Sequence, residues 1–324
     1  MSTDAVAIVL SEVLPTLDGK AAIGRITLNS PKTLNALNLE IILLVQEILH
    51  RFERDPKIAA VFIDGSGDKA FCAGGDVKSI RQRILDMLER GQSPVPLARV
   101  FFENEYKMDY AIHRYPKPVI IWGDGIIMGG GIGIAAGASH RIVTETTTLA
   151  MPEITIGLYP DVGASYFLPR MPGRVGLFLG MTAGRMKAAD ALYVNLADHF
   201  VPRANKQKLL QSLQAASFGG DASGTVTRLI VAAGEGAKAG PSIIEEHRET
   251  IDRYMEGESA QEITNRFRLL SDEDPFWINA KTSMLKGSPT SLAITFEQYY
   301  RSKGISIEAA FDQETNLSLQ CCDR

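Results

Sequence analysis

The sequence predicts an α/β core followed by a helical region, and three observations carry that expectation. Short apolar runs ending in glycine, at residues 59–65 and 118–123, read as strands buried on both faces. Loops and amphipathic stretches follow them, giving the strand–loop–helix order of a layered α/β domain. From about Ala204 strand-like runs cease, and helical periodicities with polar joints remain. The division falls after residue 203, giving a core of residues 1–203 and a helical region of residues 204–324.

Taken in order, residues 5–14 and 21–28 are two β-rich runs around a turn at Leu17-Asp18-Gly19-Lys20, a hairpin pattern. Asn38 is placed to cap a helix over residues 39–54, with Ile42, Leu43, Val45, Ile48 and Leu49 near helical spacing. The loop Phe71-Cys72-Ala73-Gly74-Gly75-Asp76 opens a helix from Val77, and residues 96–113 form another that ends before Pro116. The strand at 118–123 feeds a glycine turn at 129–133, and strands at 140–143 and 148–151 follow. Residues 206–216, 241–255, 260–270, 275–285, 290–303 and 307–321 read as helical, with a Gly/Ser-rich loop at 217–223.

Composition bounds the class. At 324 residues, 45% hydrophobic and 22% charged, the chain fits a globular protein with a sizeable core. A net charge of −4 without a long basic run argues against nucleic acid as a partner. No apolar run approaches the roughly 18–20 residues that span a bilayer. The start, Met1 to Val6, has neither the basic and apolar regions of a signal peptide nor the arginines of a transit peptide, so a cytoplasmic location is expected. The three cysteines, Cys72, Cys321 and Cys322, lack metal-ligand spacing, and the adjacent pair reads as thiols of a reducing compartment. The ending Cys-Cys-Asp-Arg places charges where a prenylation box takes aliphatics.

The chemistry-bearing stretch runs from Gly129-Gly130-Gly131-Ile132-Gly133 to Glu153 and Asp161. A glycine turn at a helix start offers bare N–H groups to an oxygen that gains charge, and two carboxylates in apolar surroundings offer acid–base or nucleophilic chemistry. The turn matches neither the Rossmann fingerprint nor a P-loop, which needs Gly-Lys-Ser/Thr; by itself it is equally explained by packing. The loop at 71–76 also sets small residues ahead of a helix, so two loops can each aim one N–H at the same oxygen. Cys72 lacks a local His and reads as packing, Asp76 reads as a helix-start carboxylate, and His113, His140 and His199 read as structural.

Three spaced motifs, Ser30-Pro31-Lys32-Thr33-Leu34-Asn35-Ala36-Leu37, Phe71-Cys72-Ala73-Gly74-Gly75-Asp76 and Met128-Gly129-Gly130-Gly131, resemble the crotonase (enoyl-CoA hydratase/isomerase) superfamily. The resemblance implies a crotonase-like spiral of ββα units and an acyl-CoA thioester substrate. It further implies an oxyanion hole from the N–H groups of Ala73 and Gly130, with Gly75, Asp76 and Gly129 about the substrate. CoA would arrive as part of the substrate, with no separate cofactor and no metal. Hydratases of this superfamily carry a first glutamate as the fifth residue of the glycine motif, where this chain has Gly133; their second glutamate matches Glu153.

Where hydratases usually have glycine, this chain has Asp161. The run from Met151 to Gly163, with Tyr166-Phe167-Leu168-Pro169-Arg170, Phe101-Phe102-Glu103-Asn104-Glu105-Tyr106, Thr182-Ala183-Gly184-Arg185-Met186-Lys187 and Ser288-Pro289-Thr290-Ser291-Leu292, resembles the 3-hydroxyisobutyryl-CoA hydrolase branch. That branch implies hydrolysis of a short 3-hydroxyacyl-CoA, with Glu153 as nucleophile or general base. Asp161 would bind the 3-hydroxyl or position water, Glu105 would hold the hydroxyl or water, and Lys32 would meet the CoA phosphates. A hydratase or isomerase of the same fold, and a non-catalytic acyl-CoA-binding protein, are the alternatives. Branch members continue past the equivalent of Gln320 with a basic tail that does not appear here. Superfamily relatives often form trimers, so a homo-oligomer is admitted, although the helical tail can instead fold back on its own core.

Overall fold

A computed structural model describes residues 7–270 and 273–322; the expected strand start at residues 5–6 and the last two residues of the chain lie outside them. The first half alternates as the sequence pattern requires: β1 (Val9–Pro15), β2 (Ala22–Leu28), α1 (Leu39–Arg54), β3 (Ile58–Gly65), β4 (Ala70–Cys72), α2 (Val77–Glu89), α3 (Val95–His113), β5 (Val119–Gly123), β6 (Ile126–Met128), α4 (Gly130–Ala136), β7 (His140–Val143) and β8 (Thr148–Ala150). Then come α5 (Ala164–Phe167), α6 (Val175–Thr182), α7 (Ala188–Tyr193), β9 (His199–Phe200), α8 (Lys206–Ala215) and α9 (Ala222–Ala233). The chain closes with α10 (Ile243–Glu246), α11 (Arg248–Tyr254), α12 (Ala260–Arg268), α13 (Pro275–Lys286), α14 (Pro289–Arg301) and α15 (Ile307–Cys322).

β1 and β2 pair antiparallel, Val9 opposite Leu28 and Pro15 opposite Ala22. β2, β3, β5, β7 and β9 then continue in parallel to complete a six-stranded sheet. The period of two along a strand sorts its apolar residues between two cores. Val61, Ile63, Val119 and Ile121 join the cluster that includes α1 and α3, whereas Ala60, Phe62, Ile120 and Trp122 meet Leu209, Leu213, Val226 and Ile230 of α8 and α9. Both faces are therefore covered, which is why these strands read as continuous apolar runs. α1 begins where its cap predicts: the Asn38 side chain accepts the Ile41 N–H at 2.8 Å. Leu43, placed in its apolar set by spacing, instead faces solvent.

Several elements depart from the sequence reading. β4, β6 and β8 form a second, parallel sheet of three short strands, so Phe71 and Cys72 are strand and only the residues after them are loop. Runs of three residues are too short to show a period. α6 shows no helical periodicity because it is buried along its whole length and has no polar face. α9 follows the Gly/Ser-rich loop, its start fixed by Asp221, whose carboxylate accepts the Gly224 N–H at 2.8 Å. The single helix expected over 241–255 is two, α10 and α11, separated at His247.

The last helix returns to the core. α15 runs along α3, where Tyr110 Oη donates to Glu308 at 3.1 Å and Arg114 pairs with the same carboxylate. Near its C-terminal end Ser318 Oγ lies 2.7 Å from Tyr106 Oη. Among the described residues no helix is long and apolar enough to cross a membrane.

Candidate active site

The first wall is made by the loop after β4. Its position is set from below by Asn35, a fully buried residue in left-handed conformation at φ 57°. The Asn35 amide donates to the carbonyls of Ser66 and Ala70 at 3.0 Å each, and its oxygen accepts the Ser30 N–H at 2.9 Å. The Ser30–Leu37 motif is thus a buckle for the loop. The same stretch decides which N–H groups the loop can offer. Ala73 N–H, expected to face the substrate, instead donates to the Leu34 carbonyl at 3.0 Å. Leu37 N–H donates to the Gly74 carbonyl and Asp76 N–H to the Leu37 carbonyl, while Gly75 N–H has no acceptor among the described residues and Gly75 lines a cavity of about 600 Å³. Asp76 caps α2, accepting Ser79 N–H at 3.2 Å and Ser79 Oγ–H at 2.6 Å, and does not line the cavity.

The second wall is the start of α4. Gly129 adopts φ +48° and Gly130 is the first helical residue, whose N–H has no intrahelical acceptor. Side chains are excluded here by close approach: a Cβ on Gly129 would lie 2.9 Å from Glu153 Oε1, and one on Gly130 would strike Glu105 Oε1. Gly75, Gly129, Gly130, Glu105, Glu153 and Asp161 all line the one cavity. Its remaining wall is largely apolar, with Ile80, Ile84 and Leu85 of α2 and Phe101 of α3. Lys32 lies elsewhere, in a separate groove of about 220 Å³ shared with Lys69.

The three acids come from three elements. Glu105 projects from the middle of α3, Glu153 opens a 3-10 turn over Glu153–Ile156, and Asp161 follows Pro160 in the loop before α5. All are almost fully buried. Burial, and then the charge of Asp161, push Glu105 and Glu153 well above the usual carboxylate range. Burial also raises Asp161, to about 6, against the opposing effect of Tyr106, whose hydroxyl donates to Asp161 Oδ2 at 2.6 Å. Three carboxyls around one small volume cannot all be charged, and the hydrogen bond from Tyr106 selects Asp161 as the anion. Among the described residues Glu153 Oε2 has no hydrogen-bond partner.

A fourth acid escaped the sequence reading. Asp109, one turn after Glu105 on α3, is wholly buried with both carboxyl oxygens unpartnered among the described residues, and burial followed by the Glu105 charge pushes it well up. It occupies the room beside Gly133: a Cβ there would lie 2.5 Å from Asp109 Oδ2 and 2.8 Å from Val162 Cβ. The spacing of four from Glu105 was the available signal. Cys321 and Cys322 also line the cavity, brought there by α15, and the described cysteines form no disulfide. The histidines stand outside it: His140 bonds Ser139 and Thr227, and His113 is held to about 4 by burial. Among the described residues no group of three or more His, Cys, Asp or Glu side chains is arranged to hold a metal ion.

The enoyl-CoA hydratase/isomerase family model matches residues 23–324, nearly the whole chain that carries these loops and acids. The chain belongs to the enoyl-CoA hydratase/isomerase family. Within that family, the 3-hydroxyisobutyryl-CoA hydrolase, mitochondrial, of Danio rerio is 38% identical over 314 residues, covering 96% of this chain and 79% of that protein. The crystal structure of a carnitinyl-CoA dehydratase from Mycobacterium thermoresistibile superposes with a TM-score of 0.84 at 33% identity, covering 98% of this chain and 86% of the other. An enoyl-CoA hydratase from Rhodobacter sphaeroides gives 0.83 at 32% identity, with the same coverages. These full-length superpositions carry the crotonase fold across the core and the C-terminal helices alike.

Proposed function

We propose that this chain hydrolyses the thioester of a short 3-hydroxyacyl-CoA, with 3-hydroxyisobutyryl-CoA as the favoured substrate, to the free acid and CoA. The observation that carries the reading is the convergence of two unpaired N–H groups, at Gly75 and Gly130, and three buried carboxyls on one cavity. The names of the relatives in the hydrolase branch support the choice of reaction. Gly130 N–H and Gly75 N–H, in place of the Ala73 N–H that is spent on Leu34, hold the carbonyl oxygen as it becomes an oxyanion. Each such donor contributes on the order of 3 kcal/mol in the transition state.

Glu153, whose Oε1 borders the Gly129 backbone, stands beside the carbonyl carbon held there. The Asp161 anion takes the proton that burial leaves on Glu153. Glu153 then adds to that carbon as a carboxylate, expelling CoA, whose sulfur takes that proton, and giving an anhydride that water opens, or it takes the proton of the attacking water. Asp161 and Glu105 hold the 3-hydroxyl and the water, and CoA leaves as the thiol. Lys32, in its own groove, is kept as a candidate contact for the CoA phosphates.

Hydration of a double bond is the weaker reading. It asks for a second glutamate at position 133, where Asp109 and Val162 leave no room. The test is thiol release across a panel of short acyl-CoAs, with crotonyl-CoA hydration measured alongside and Glu153→Gln as control. Release of CoA from 3-hydroxyacyl thioesters, lost in the variant, is expected; faster hydration than release would overturn the assignment. Single turnover in oxygen-18 water separates the routes, because label enters Glu153 only through the anhydride. A cytoplasmic place of action is part of the proposal, set against relatives named mitochondrial, and cell fractionation tests it.

A further inference from the structure

The turn that presents Asp161 is not a relaxed one. Val162 sits at φ +51°, a left-handed conformation that a β-branched residue adopts only under constraint from its surroundings. Gly163 follows at φ +93°. The constraint comes from the far end of the chain. Glu314 of α15, wholly buried, receives the Gly163 N–H on Oε2 at 2.7 Å and the Ser165 N–H on Oε1 at 2.8 Å. Its own carbonyl accepts the Tyr159 hydroxyl at 2.7 Å. One turn on, Ser318 Oγ lies 2.9 Å from Tyr159 Oη and 2.7 Å from Tyr106 Oη, the group that holds Asp161. From α14, Gln298 Nε2 donates to the Pro160 carbonyl at 3.0 Å and to Ser165 Oγ at 2.6 Å.

Residues on both sides of Asp161 are therefore gripped by side chains more than 130 positions away in sequence. Taking a buried carboxyl out of water is costly, and core packing alone would be served better by an apolar residue. What Glu314 provides, and an apolar residue cannot, is a two-pronged acceptor that fixes two nearby amides, those of Gly163 and Ser165. We propose that Glu314 is a positioning residue for the hydrolysis, acting through Asp161: its carboxyl locks the strained 161–163 turn so that Asp161 meets Tyr106 and the cavity at once. The proposal rests on the catalytic reading of Asp161 given above.

The test is a double-mutant cycle on thioester hydrolysis. Glu314→Gln keeps the size of the side chain but turns an amide nitrogen toward one of the two N–H groups. It is expected to lower kcat about tenfold to a hundredfold with KM changed by less than about twofold, since displacements near 1 Å cost on the order of a hundredfold in rate. In an Asp161→Asn background the same substitution is expected to cost less than about twofold, because the group it positions is already gone. An undiminished loss in that background overturns this proposal alone. Full activity of Asp161→Asn overturns the reading of Asp161 and this proposal with it. Should Glu314→Gln not fold, the pair Tyr159→Phe and Ser318→Ala removes the other side of the bracket and is run through the same cycle. There a loss of about threefold to tenfold that vanishes with Asp161→Asn is expected, and equal losses in both backgrounds overturn the proposal.

Discussion

Replacing Tyr106 by Phe isolates the contact that sets the charge order in the cavity. The hydroxyl donates to Asp161 Oδ2 at 2.6 Å inside a buried site, and this bond opposes the burial that raises Asp161 to about 6. A hydrogen bond to a charged group contributes about 1.5–3 kcal/mol, and one to a neutral partner about 1 kcal/mol. The difference favouring the anion is therefore roughly 1.4 kcal/mol, or about one pKa unit. Without the hydroxyl Asp161 should titrate higher, and since the reaction needs it as the anion, the acid limb of kcat/KM moves up by about one unit. At pH 6 the variant falls several-fold below the parent, whereas above pH 8 the two converge. The assay is loss of thioester absorbance at saturating and limiting substrate across pH 5 to 9. A limb that stays put, or moves to lower pH, refutes the charge order derived from this contact.

Three other outcomes are expected. Glu153→Gln retains the shape of the cavity and removes the reacting oxygen, so kcat should drop by roughly a thousandfold or more with thermal stability little changed, as thiol release and melting together measure. Asn35→Ala leaves the Ser66 and Ala70 carbonyls and the Ser30 N–H without their partner and places alanine at φ 57°; denaturant titration should register a loss of about 3–5 kcal/mol. Stability should also decline as pH rises. Burial lifts Glu105, Asp109 and Glu153 well above the usual carboxylate range and Asp161 to about 6, so the folded state holds protons that the unfolded chain releases near pH 4. These acids weigh least against folding below about pH 4, and the penalty is complete only above the folded values, so urea midpoints should decrease between pH 5 and 9.

What could be read from the chain beforehand follows the range of the interactions. A helix with its own cap, such as α1, is specified locally, and so are strands buried on both faces. Gly75, Gly129, Gly130, Glu105, Glu153 and Asp161 were singled out and do meet in one cavity. The choice between Ala73 and Gly75 was not readable. It depends on which carbonyl of the Ser30–Leu37 buckle lies opposite, a register that spacing does not encode. Tyr106 and Asp109 sit on a helix whose pattern looks like an ordinary half-buried one, and only its packing against α15 and α4 gives them roles. Glu314 and the cavity-facing cysteines were hidden for a related reason: α15 brings them to the site from the far end of the sequence, by packing along α3.

The crowding of Gly133 by Asp109 bears on how such enzymes diverge. One volume behind the cavity is filled by Asp109 of α3 and by Val162 here, so a side chain from α4 can enter only after both have given way. Passage between the two chemistries thus asks for room to be made before a side chain is added at position 133. Among descendants of a common ancestor, bulk at one of these sites should accompany its absence at the other.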